Sequence, residues 1–375
     1  MENFIVSARK YRPANFHSVV GQDAITATLK NAIKTRQVAQ AFLFCGPRGV
    51  GKTTCARIFA KALNCHHLTD DFEPCNACDS CRAFNESASF NVFELDAASN
   101  NSVDDIRDLV KEVSIPPQGA EYKVYIIDEV HMLSASAFNA FLKTLEEPPT
   151  YVKFILATTE KHKIMPTILS RCQVYDFNRI TERDIVKHLQ YVAAQEQVNA
   201  DEDALRIIAT KADGALRDAL SIFDQLVTFT DKDLTYQKVA AQLNVLDVSN
   251  YFRITDCIFS DKVSDALLIL DDLLFRGFDG QNFITGLATH FRNLLMAQNP
   301  ETVSLLDMSE SVKAQLYKQA QTVDRTLLIR SLELANQCDF NYRSSNNKRL
   351  TIELCMMQIN ANYIYKKVRQ SQERK

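Results

Sequence analysis

The residues of this sequence best suited to chemistry lie in one glycine-rich stretch. Its eight residues match the pattern G-x-x-x-x-G-K-[ST] and are Gly46-Pro47-Arg48-Gly49-Val50-Gly51-Lys52-Thr53. In such a loop, glycines let backbone N–H groups wrap around phosphate oxygens at the positive end of the following helix. We expect Lys52 to reach the β- and γ-phosphates of a nucleotide and the Thr53 hydroxyl to hold Mg²⁺. The alternative is a chance glycine turn, but an apolar strand pattern precedes the loop and a helical pattern follows it.

Two adjacent carboxylates form a second candidate group. Asp128 and Glu129 follow four apolar residues, 124–127, which have the composition of a buried strand. The carboxyl end of such a strand lies beside the phosphate loop in this class of sheet. Asp128 is then the acid on the magnesium side, and Glu129 is placed to polarise the attacking water as a general base. The alternative, a strand that simply ends in a solvated acidic turn, is weakened by the phosphate loop upstream.

Four cysteines form a third candidate group, directly after the phosphate-loop helix. Thiolates two residues apart can grip one ion from a tight turn, and a fourth ligand closes a tetrahedral, structural zinc site. Iron–sulfur ligation is possible on spacing alone, His66 or His67 could replace the first cysteine, and an unligated cluster is the remaining alternative. Metal binding, worth on the order of 10 kcal/mol in zinc peptides, would supply the folding energy of so small an insertion. The four residues are Cys65, Cys75, Cys78 and Cys81.

The elements around these groups alternate between strand and helix patterns in the first half of the chain. Helical patterns cover residues 52–63, 103–113 and 134–146. Such alternation predicts a parallel sheet with helices on both faces. All but one of the nine prolines fall at or before Pro166, and glycine is rare beyond Gly214, so the second half is predicted to be all-helical. Within it, Leu267, Leu270 and Leu274 share one helix face. The candidate strands are 41–45, 91–95, 122–128, 153–157 and 172–177.

Composition narrows the class of protein. The chain has 375 residues, which suggests two or three domains. Its net charge of −3 gives no support for nucleic-acid binding by the chain as a whole, so any DNA contact must come from a local surface or from several copies in a ring. No apolar run is long enough to cross a membrane. Because no export signal is visible, we expect a cytoplasmic protein with reduced or metal-bound cysteines.

Several longer strings carry a family resemblance. Asp128-Glu129-Val130-His131 together with Ser170-Arg171-Cys172 resembles the AAA+ clamp-loader ATPases of bacterial DNA polymerase III. The resemblance covers roughly residues 4 to 360 and is most specific up to Leu220. The other matching strings are 8–13 (ARKYRP), 19–22 (VVGQ), 139–149 (NAFLKTLEEPP) and 156–159 (LATT).

In that family the adenine of ATP rests on the N-terminal segment. The resemblance therefore implies a base-binding surface there, and it extends the phosphate contacts to Thr54. For two of these residues, Tyr11 and Pro13, the alternative is an ordinary anchoring of the N-terminus onto the core. The implied base-side residues are Ala8, Tyr11, Arg12, Pro13, Val19 and Val20.

Three catalytic roles are implied in the same way. Thr159 matches the first sensor, which holds the lytic water or the γ-phosphate, although Thr158 is an alternative and either could be a plain strand residue. Arg171 matches the arginine finger, which reaches the γ-phosphate bound by the next subunit; its alternative is a surface arginine. Arg217 matches the second sensor, which contacts the nucleotide of its own subunit; its alternative is an ion pair with an acid such as Asp213.

The resemblance also suggests where DNA would bind. In clamp loaders, the helix starting near Ser102 and the helix after the acidic motif direct their N-termini towards DNA phosphates. Arg107 and Lys143 are the matching candidates, and Lys143 could also contact Glu129. The alternative for both is a solvated helix surface. A few phosphate contacts on a slightly acidic chain would hold DNA weakly and would be lost as salt rises.

Taken together, the expected fold class is α/β. It comprises an AAA+ P-loop nucleotide domain (1–180) with a four-Cys zinc insertion (64–88), a small helical lid (181–243) and an all-α collar domain for oligomerisation (244–375). The junctions are placed near 179–181 and 244–247. Expected cofactors are ATP, Mg²⁺ and Zn²⁺. Expected partners are other clamp-loader subunits in a hetero-pentameric ring, the sliding clamp, primer–template DNA and the polymerase holoenzyme, with no membrane.

Three other functions are compatible with a phosphate loop. Another AAA+ motor, such as a Holliday-junction helicase, is disfavoured by the four-cysteine insertion and the Ser170-Arg171-Cys172 string. An inactive structural subunit would lack Lys52 or the acidic pair. A zinc-dependent DNA-binding module with an incidental ATPase is the third alternative. Polymerase activity is expected in another chain of the holoenzyme, and the chain is expected to be either the short product of its family or a truncated form of a longer one.

Overall fold

A computed structural model describes residues 5–243, 246–306, 308 and 310–373. The chain divides into two compact units, Met1–Tyr236 and Gln237–Lys375. In the described residues, the strands all belong to the first unit, whereas the second unit is helical. No helix in this part of the chain has the length and apolar character that crossing a membrane requires.

The first unit is built on a five-stranded parallel sheet in the order β2-β3-β4-β1-β5. All five predicted strands are present; β1 has the predicted bounds and the others differ by one or two residues. Its central strands are buried along almost their whole length, as expected when helices cover both faces of a parallel sheet. The strands are β1 Ala41–Cys45, β2 Val92–Asp96, β3 Lys123–Asp128, β4 Val152–Thr158 and β5 Gln173–Asp176.

Side chains of β1 alternate between two apolar layers, because successive strand residues face opposite sides of a sheet. Phe42 and Phe44 belong to the core on one face. Leu43 and Cys45 belong to the core on the other face. The predicted α/β class, with helices on both sides of a parallel sheet, is therefore confirmed.

Helices connect and cover the strands. α3 and α5 have the predicted bounds, and α6 begins one residue later than predicted because Ser134 is its N-cap, accepting a hydrogen bond from the Ala137 amide at 3.2 Å. Ser102 and Asp105 form a capping box at the start of α5. These helices are α1 Ser7–Lys10, α2 Asp23–Lys34, α3 Lys52–Leu63, α4 Asp79–Asn85, α5 Val103–Val113, α6 Ala135–Glu146 and α7 Pro166–Leu169.

The remainder of the first unit is mainly helical. It also contains a short parallel pair of strands, β6 Asn199–Ala200 and β7 Asp233–Leu234. The contact-based division keeps this segment with the sheet, while the second predicted junction, 244–247, begins on residues 244 and 245, which lie outside the described residues. The three-domain division stays a prediction. The helices here are α8 Glu182–Glu196, α9 Glu202–Ala212 and α10 Leu216–Thr230, and α11 Tyr236–Gln242 starts at the boundary between the units.

The second unit has one apolar core built by its helices. Leu270 of α13 is buried, and Leu267 and Leu274 pack partly buried against the same core, so the predicted helix face is present. A buried polar group accompanies this core: His290 Nε2 lies 2.9 Å from Gln319 Oε1. The helices are α12 Val248–Ile258, α13 Val263–Phe275, α14 Gly280–Ala297, α15 Pro300–Val303, α16 Glu310–Ala320, α17 Arg325–Tyr342 and α18 Lys348–Glu373.

Candidate functional site

The phosphate loop connects β1 to α3, and the side chain of Lys52 binds back to carbonyl groups of the loop. Lys52 begins α3 and is only 6% exposed. Its Nζ donates to the carbonyl oxygens of Gly46 and Pro47, both at 2.8 Å. Burial lowers the pKa of Lys52, while the nearby Glu129 and Asp128 favour its charged form. A cation is thus held at the centre of the loop, where the phosphates of a nucleotide would lie.

Thr53 and Asp128 meet beside this loop. The Thr53 hydroxyl donates to Asp128 Oδ2 at 2.6 Å. The other carboxylate oxygen, Oδ1, accepts a hydrogen bond from the Glu129 amide at 2.9 Å. A hydroxyl and a carboxylate are hard oxygen donors of the kind that Mg²⁺ prefers, so this donor set fits the cation predicted here.

Glu129 is held by Thr159, the residue directly after β4. Its backbone lies in the left-handed region, with φ 47°. Its Oε2 accepts from the Thr159 amide at 3.2 Å and from the Thr159 hydroxyl at 2.9 Å. Thr158 is fully buried, and its hydroxyl lies 3.0 Å from His131 Nδ1. Of the two threonines considered for the first sensor, Thr159 is therefore the one that contacts the candidate general base.

His131 belongs to the motif at 128–131, but no role was predicted for it. Its side chain is 6% exposed, and its Nδ1 lies 3.4 Å from Glu129 Oε2. Its Nε2 lies 3.5 Å from Glu160 Oε1 on the opposite side. The sequence string 128–131 offered a signal, since it places a histidine two residues after Glu129. The imidazole separates the candidate general base from a second carboxylate.

A cavity of about 740 Å³ lies over the phosphate loop. Most residues predicted to bind nucleotide line it: Ala8, Tyr11, Arg12, Pro13, Val19, Val20, Arg48, Gly49, Val50, Gly51, Lys52, Thr53, Thr54, Asp128, Glu129 and Arg217. Gly46 and Pro47 lie behind the lining, where their carbonyls bind Lys52. The lining also includes residues that the sequence did not single out, namely Val6, Arg9, Asp96, Ala98, Ile180, Leu216 and Leu220.

The predicted base-binding residues between Ala8 and Val20 form one wall of this cavity, the base-side wall. This wall is attached to helices α8 and α10. The Tyr11 hydroxyl donates to Glu196 Oε1 at 2.5 Å, and burial together with that carboxylate raises the pKa of Tyr11. The Ser7 amide donates to Asp224 Oδ2 at 2.7 Å. Arg12 Nε lies 3.3 Å from Thr54 Oγ1 and so reaches the phosphate loop. Tyr11 both lines the cavity and anchors the N-terminal segment, so the two interpretations of this residue hold together.

Arg217 lies in the first turn of α10, directly against the phosphate loop. Its amide donates to the Gly49 carbonyl at 3.5 Å. A Cβ at Gly49 would lie 3.0 Å from Ala215 Cβ, and the φ of +78° is one that side chains other than glycine rarely adopt. The alternative partner proposed for Arg217 is engaged elsewhere, because Asp213 pairs with Arg179. Arg217 therefore lines the cavity over the phosphate loop of its own chain.

Arg171 lies away from that cavity, between α7 and β5. Its guanidinium pairs with Glu146 Oε1 at 2.6 Å and donates to the Thr167 carbonyl at 2.8 Å. The side chain is 34% exposed. Any contact of Arg171 with a nucleotide would therefore have to be with one held by another subunit.

The four cysteines come together in one cluster. Their sulfur atoms all lie within 4.8 Å of one another. Cys65 and Cys78 are separated by 4.0 Å and Cys75 and Cys81 by 3.9 Å, close to the roughly 3.8 Å that a tetrahedral zinc site with Zn–S bonds of about 2.3 Å requires. The donor set thus fits a structural zinc ion held by four sulfurs.

Local contacts support this set of ligands. Cys75 Sγ accepts from the amides of Ala77 at 3.5 Å and Cys78 at 3.3 Å, and these bonds lower the pKa of Cys75 to about 6. His66 Nε2 lies instead 3.3 Å from the Gly119 carbonyl. The cluster is formed by the four cysteines without His66 or His67, the two histidines that were alternatives to Cys65.

The two candidate DNA-binding residues lie on helix surfaces. Arg107 on α5 is 65% exposed and pairs with Asp104 at 3.0 Å on the same helix. Lys143 on α6 is exposed. The contact that Lys143 could make with Glu129 is not among the contacts of the described residues, in which the Glu129 carboxylate faces Thr159 and His131. Both residues keep the surface position that DNA contact would need.

Two models of known protein families match consecutive parts of the chain. A family model described as "DNA polymerase III, delta subunit" matches residues 21–181. A second model, "DNA polymerase III clamp loader subunit, ATPase lid domain", matches residues 184–232. A solved structure, the Thermotoga maritima RuvB Holliday junction branch migration motor, is similar over 66% of this chain and 79% of its own, with 19% identity and a TM-score of 0.48, and no functional conclusion follows from it.

Two sequence relatives cover almost the whole chain. DNA polymerase III subunit tau of Bacillus subtilis is 41% identical over 94% of this chain and 62% of its own length. DNA polymerase III subunit gamma of Buchnera aphidicola is 32% identical over 95% of this chain and 99% of its own length. Against relatives with tau in their names, from several bacteria, the chain spans between 36% and 62% of the relative's length.

Proposed function

The chain belongs to the gamma/tau family of bacterial DNA polymerase III subunits, and from this premise we propose that it is an ATPase subunit of a clamp loader. It would use ATP binding and hydrolysis to open the sliding clamp and load it on primer–template DNA during replication. The observation that carries the proposal is the joining of Thr53 to Asp128 and of Glu129 to Thr159 beside one phosphate loop. That arrangement suits a triphosphate, its cation and an attacking water.

Nucleotide binding is assigned to the cavity over the phosphate loop. Lys52 exchanges the carbonyls of Gly46 and Pro47 for phosphate oxygens when ATP enters. Thr53 and Asp128 would hold a magnesium ion, whose positive charge would offset the negative charge of the phosphates. The residues from Ala8 to Val20 that line the cavity bind the base.

Hydrolysis is assigned to the residues at the carboxyl ends of β3 and β4. A water lying between Glu129 and the γ-phosphate gives a proton to the Glu129 carboxylate as its oxygen attacks phosphorus. The bond from phosphorus to the bridging oxygen breaks in the same step, which gives ADP and phosphate. Thr159 keeps that carboxylate in place through two hydrogen bonds to the same oxygen. Arg217 acts on the nucleotide of its own chain.

Assembly is assigned to a ring of loader subunits, expected to be a hetero-pentamer. Arg171 lies outside its own cavity, so it would complete the site of the neighbouring subunit. There its guanidinium stabilises the negative charge that develops on the transferred phosphoryl group. The helical second unit is proposed as the collar that holds the subunits together.

The remaining assignments follow from the same family. The cysteine cluster is proposed to hold a structural zinc ion, since its sulfur geometry fits a closed tetrahedral site. Arg107 and Lys143 are proposed to contact DNA phosphates. The loader would work in the bacterial cytoplasm within the polymerase III holoenzyme, so the class DNA-directed DNA polymerase, a nucleotidyltransferase, applies to this chain only by association.

The proposal is tested by the ATPase rate of a loader assembled with this chain, with and without the clamp and primed DNA. We expect the rate to rise when both are added, Lys52→Ala to abolish ATP binding, and Glu129→Gln to bind ATP but to hydrolyse it roughly 10²- to 10⁴-fold more slowly. Lys211→Ala, at an exposed lysine of α9, is the matched control and should behave as the unmodified chain. A rate that ignores both clamp and DNA would reject the loader assignment.

A further inference from the structure

A buried carboxylate outside the nucleotide cavity links the cysteine cluster to that cavity. Glu73 lies in the loop between Cys65 and Cys75 and is 8% exposed. Its Oε2 accepts from the Phe16 amide at 2.7 Å, and its Oε1 accepts from the His17 amide at 3.0 Å. A carboxylate this well buried is stable only when its charge is compensated. Both of its oxygens are engaged.

The partners of Glu73 support the base-side wall. Phe16 and His17 open a short 3₁₀ helix, Phe16–Ser18, and the Val19 amide closes it on the Phe16 carbonyl at 3.1 Å. Val19 and the residue after it, Val20, line the cavity. Glu73 therefore accepts the first two amides of the turn that leads directly into the wall, while Asn15 Oδ1 accepts the third, from Ser18, at 3.0 Å. The negative charge of Glu73 also suits the N-terminal end of a helical turn.

A third partner fixes Glu73 against the next helix. Lys30 of α2 places its Nζ 2.6 Å from Glu73 Oε1. The side chain of Lys30 is 27% exposed and that of Glu73 10%, so this pair is more shielded from water than an ordinary surface ion pair. Removing the carboxylate would leave two amide donors and one partly buried cation without their shared acceptor.

The position of Glu73 depends in turn on the cysteine cluster. Only Pro74 separates Glu73 from Cys75, whose amide donates to Cys65 Sγ at 3.3 Å. On the other side, the Glu73 amide and carbonyl bond to Thr69, at 3.1 Å and 3.0 Å. Leu68 and Phe72 pack partly buried against the core of the first unit, and the ion held by the four sulfurs would fix this small segment on the other side of Glu73.

We propose that Glu73 is a positioning residue that couples occupancy of the four-cysteine site to nucleotide affinity. The inference rests on the proposed function, because it takes the cavity to bind ATP and the cysteines to bind a metal. When the metal is lost, Glu73 shifts, the amides of Phe16 and His17 lose their acceptor, and the wall formed by Val19 and Val20 is held less firmly. The phosphate loop is not part of this linkage, so the effect falls on the base side of the nucleotide.

The test compares the full chain with Glu73→Gln, each with metal and after removal of metal by a chelator. Asp71→Asn is the matched control, because Asp71 is an exposed carboxylate of the same loop. Three quantities are measured: metal content, the Kd of a fluorescent ATP analogue, and the Kd of inorganic triphosphate, which has no base. Circular dichroism verifies that each form is folded.

We expect Glu73→Gln to retain one metal ion per chain and to raise the Kd for ATP roughly tenfold, since it loses charge-assisted hydrogen bonds. The Kd for inorganic triphosphate should not change. Removal of metal from the unmodified chain should raise the Kd for ATP by a similar factor, and removal from Glu73→Gln should add nothing further. Asp71→Asn should match the unmodified chain.

The inference would be overturned if Glu73→Gln bound ATP with unchanged affinity. It would also be overturned if metal removal raised the Kd for ATP of Glu73→Gln further, so that the two factors multiplied. The third such outcome is an equal rise in the Kd for ATP and the Kd for inorganic triphosphate. If Glu73→Gln does not fold, Lys30→Gln, which removes only the ion pair, should give the same pattern at smaller size, and its absence would also overturn the inference. Failure of the proposed function is a different result, namely no binding of ATP by the metal-loaded, unmodified chain.

Discussion

The hydroxyl and the amide of Thr159 both donate to one carboxylate oxygen of Glu129, at 2.9 Å and 3.2 Å. The second contact comes from backbone and survives any substitution at this position, whereas the first depends on the threonine side chain. Glu129 itself leaves β3 in a left-handed conformation, which turns its side chain towards the neighbouring strand β4. The orientation of the candidate general base is thus set from a strand other than its own.

The first prediction concerns this hydroxyl. Thr159→Val keeps the shape of the side chain but removes the donor, so we expect hydrolysis to slow by about 10- to 100-fold, part of what a general base contributes. ATP affinity should stay within about twofold, because the phosphate loop is untouched. Single-turnover hydrolysis and equilibrium binding measure the two effects. Thr28→Val, at an exposed threonine of α2, is the control, and an equal loss in both variants would contradict the role of Thr159.

The second prediction concerns Arg171 and its position outside its own cavity. Arg171→Ala should lower single-turnover hydrolysis in the assembled loader by about 10³-fold or more, because a transition-state charge loses its guanidinium. The isolated chain should bind ATP with unchanged affinity. Arg82→Ala, at an exposed arginine paired with Asp79 at 2.6 Å, is the matched control. Weaker ATP binding by the isolated Arg171→Ala chain would show that the arginine serves its own site.

The third prediction separates the possible ligands of the metal. Cys65→Ser should lower the zinc content from one ion per chain towards zero and lower the thermal unfolding midpoint, since the site loses one of four thiolates. His66→Ala should leave the zinc content unchanged, because His66 faces the Gly119 carbonyl. A colorimetric assay of released metal measures both variants. Loss of zinc in His66→Ala alone would mean that the histidine, not Cys65, closes the site.

The fourth prediction concerns pH and the core of the second unit. His290 is 4% exposed, and burial lowers its pKa from 6.5 to about 4, with the bond to Gln319 opposing this shift. Above pH 6.5 the His290 side chain is neutral in both the folded and the unfolded form. As pH falls from 6.5 towards 4, the unfolded form binds a proton that the folded form does not, so the unfolding free energy drops by about 1.4 kcal/mol per pH unit.

Hydrogen exchange of the α14 amides, followed by mass spectrometry at pH 7 and pH 5, measures this loss of stability. His290→Gln should lose less stability between the two pH values than the unmodified chain, because it has no group to protonate at that position. The difference in hydrogen exchange between the two proteins at pH 7 is the reference for the difference at pH 5. An identical pH dependence in both would show that other groups govern the acid sensitivity of this unit.

Much of the fold could be predicted because its signals are local. The phosphate loop, its strand and its helix are adjacent in the sequence, and α3 and α5 have the predicted bounds. The four cysteines lie within 17 positions of one another and form the predicted cluster. Periodicity and motif spacing are sufficient for such features, because each depends on neighbours along the chain.

The parts that were missed depend on contacts between distant positions. Tyr11 with Glu196 and Ser7 with Asp224 are separated by 185 and 217 residues, and no local pattern marks a carboxylate as the partner of a remote side chain. The contact that Lys143 could make with Glu129 stays a prediction, because in the described residues the Glu129 carboxylate faces Thr159 and His131. Helical position places Lys143 on the exposed face of α6, whereas the direction of Glu129 is set by an unusual backbone conformation that its sequence does not reveal.

The anchoring of the N-terminal segment has a mechanical consequence. Ser7 and Tyr11 are fastened to α10 and α8, whereas the turn that begins at Phe16 is fastened to α2 and the cysteine loop. The short stretch 12–15 therefore connects two differently supported anchors and is where bending would concentrate. A rotation of α8 and α10 relative to the sheet would move Ser7 and Tyr11 with those helices, while Phe16 and the residues after it stayed with α2 and the cysteine loop.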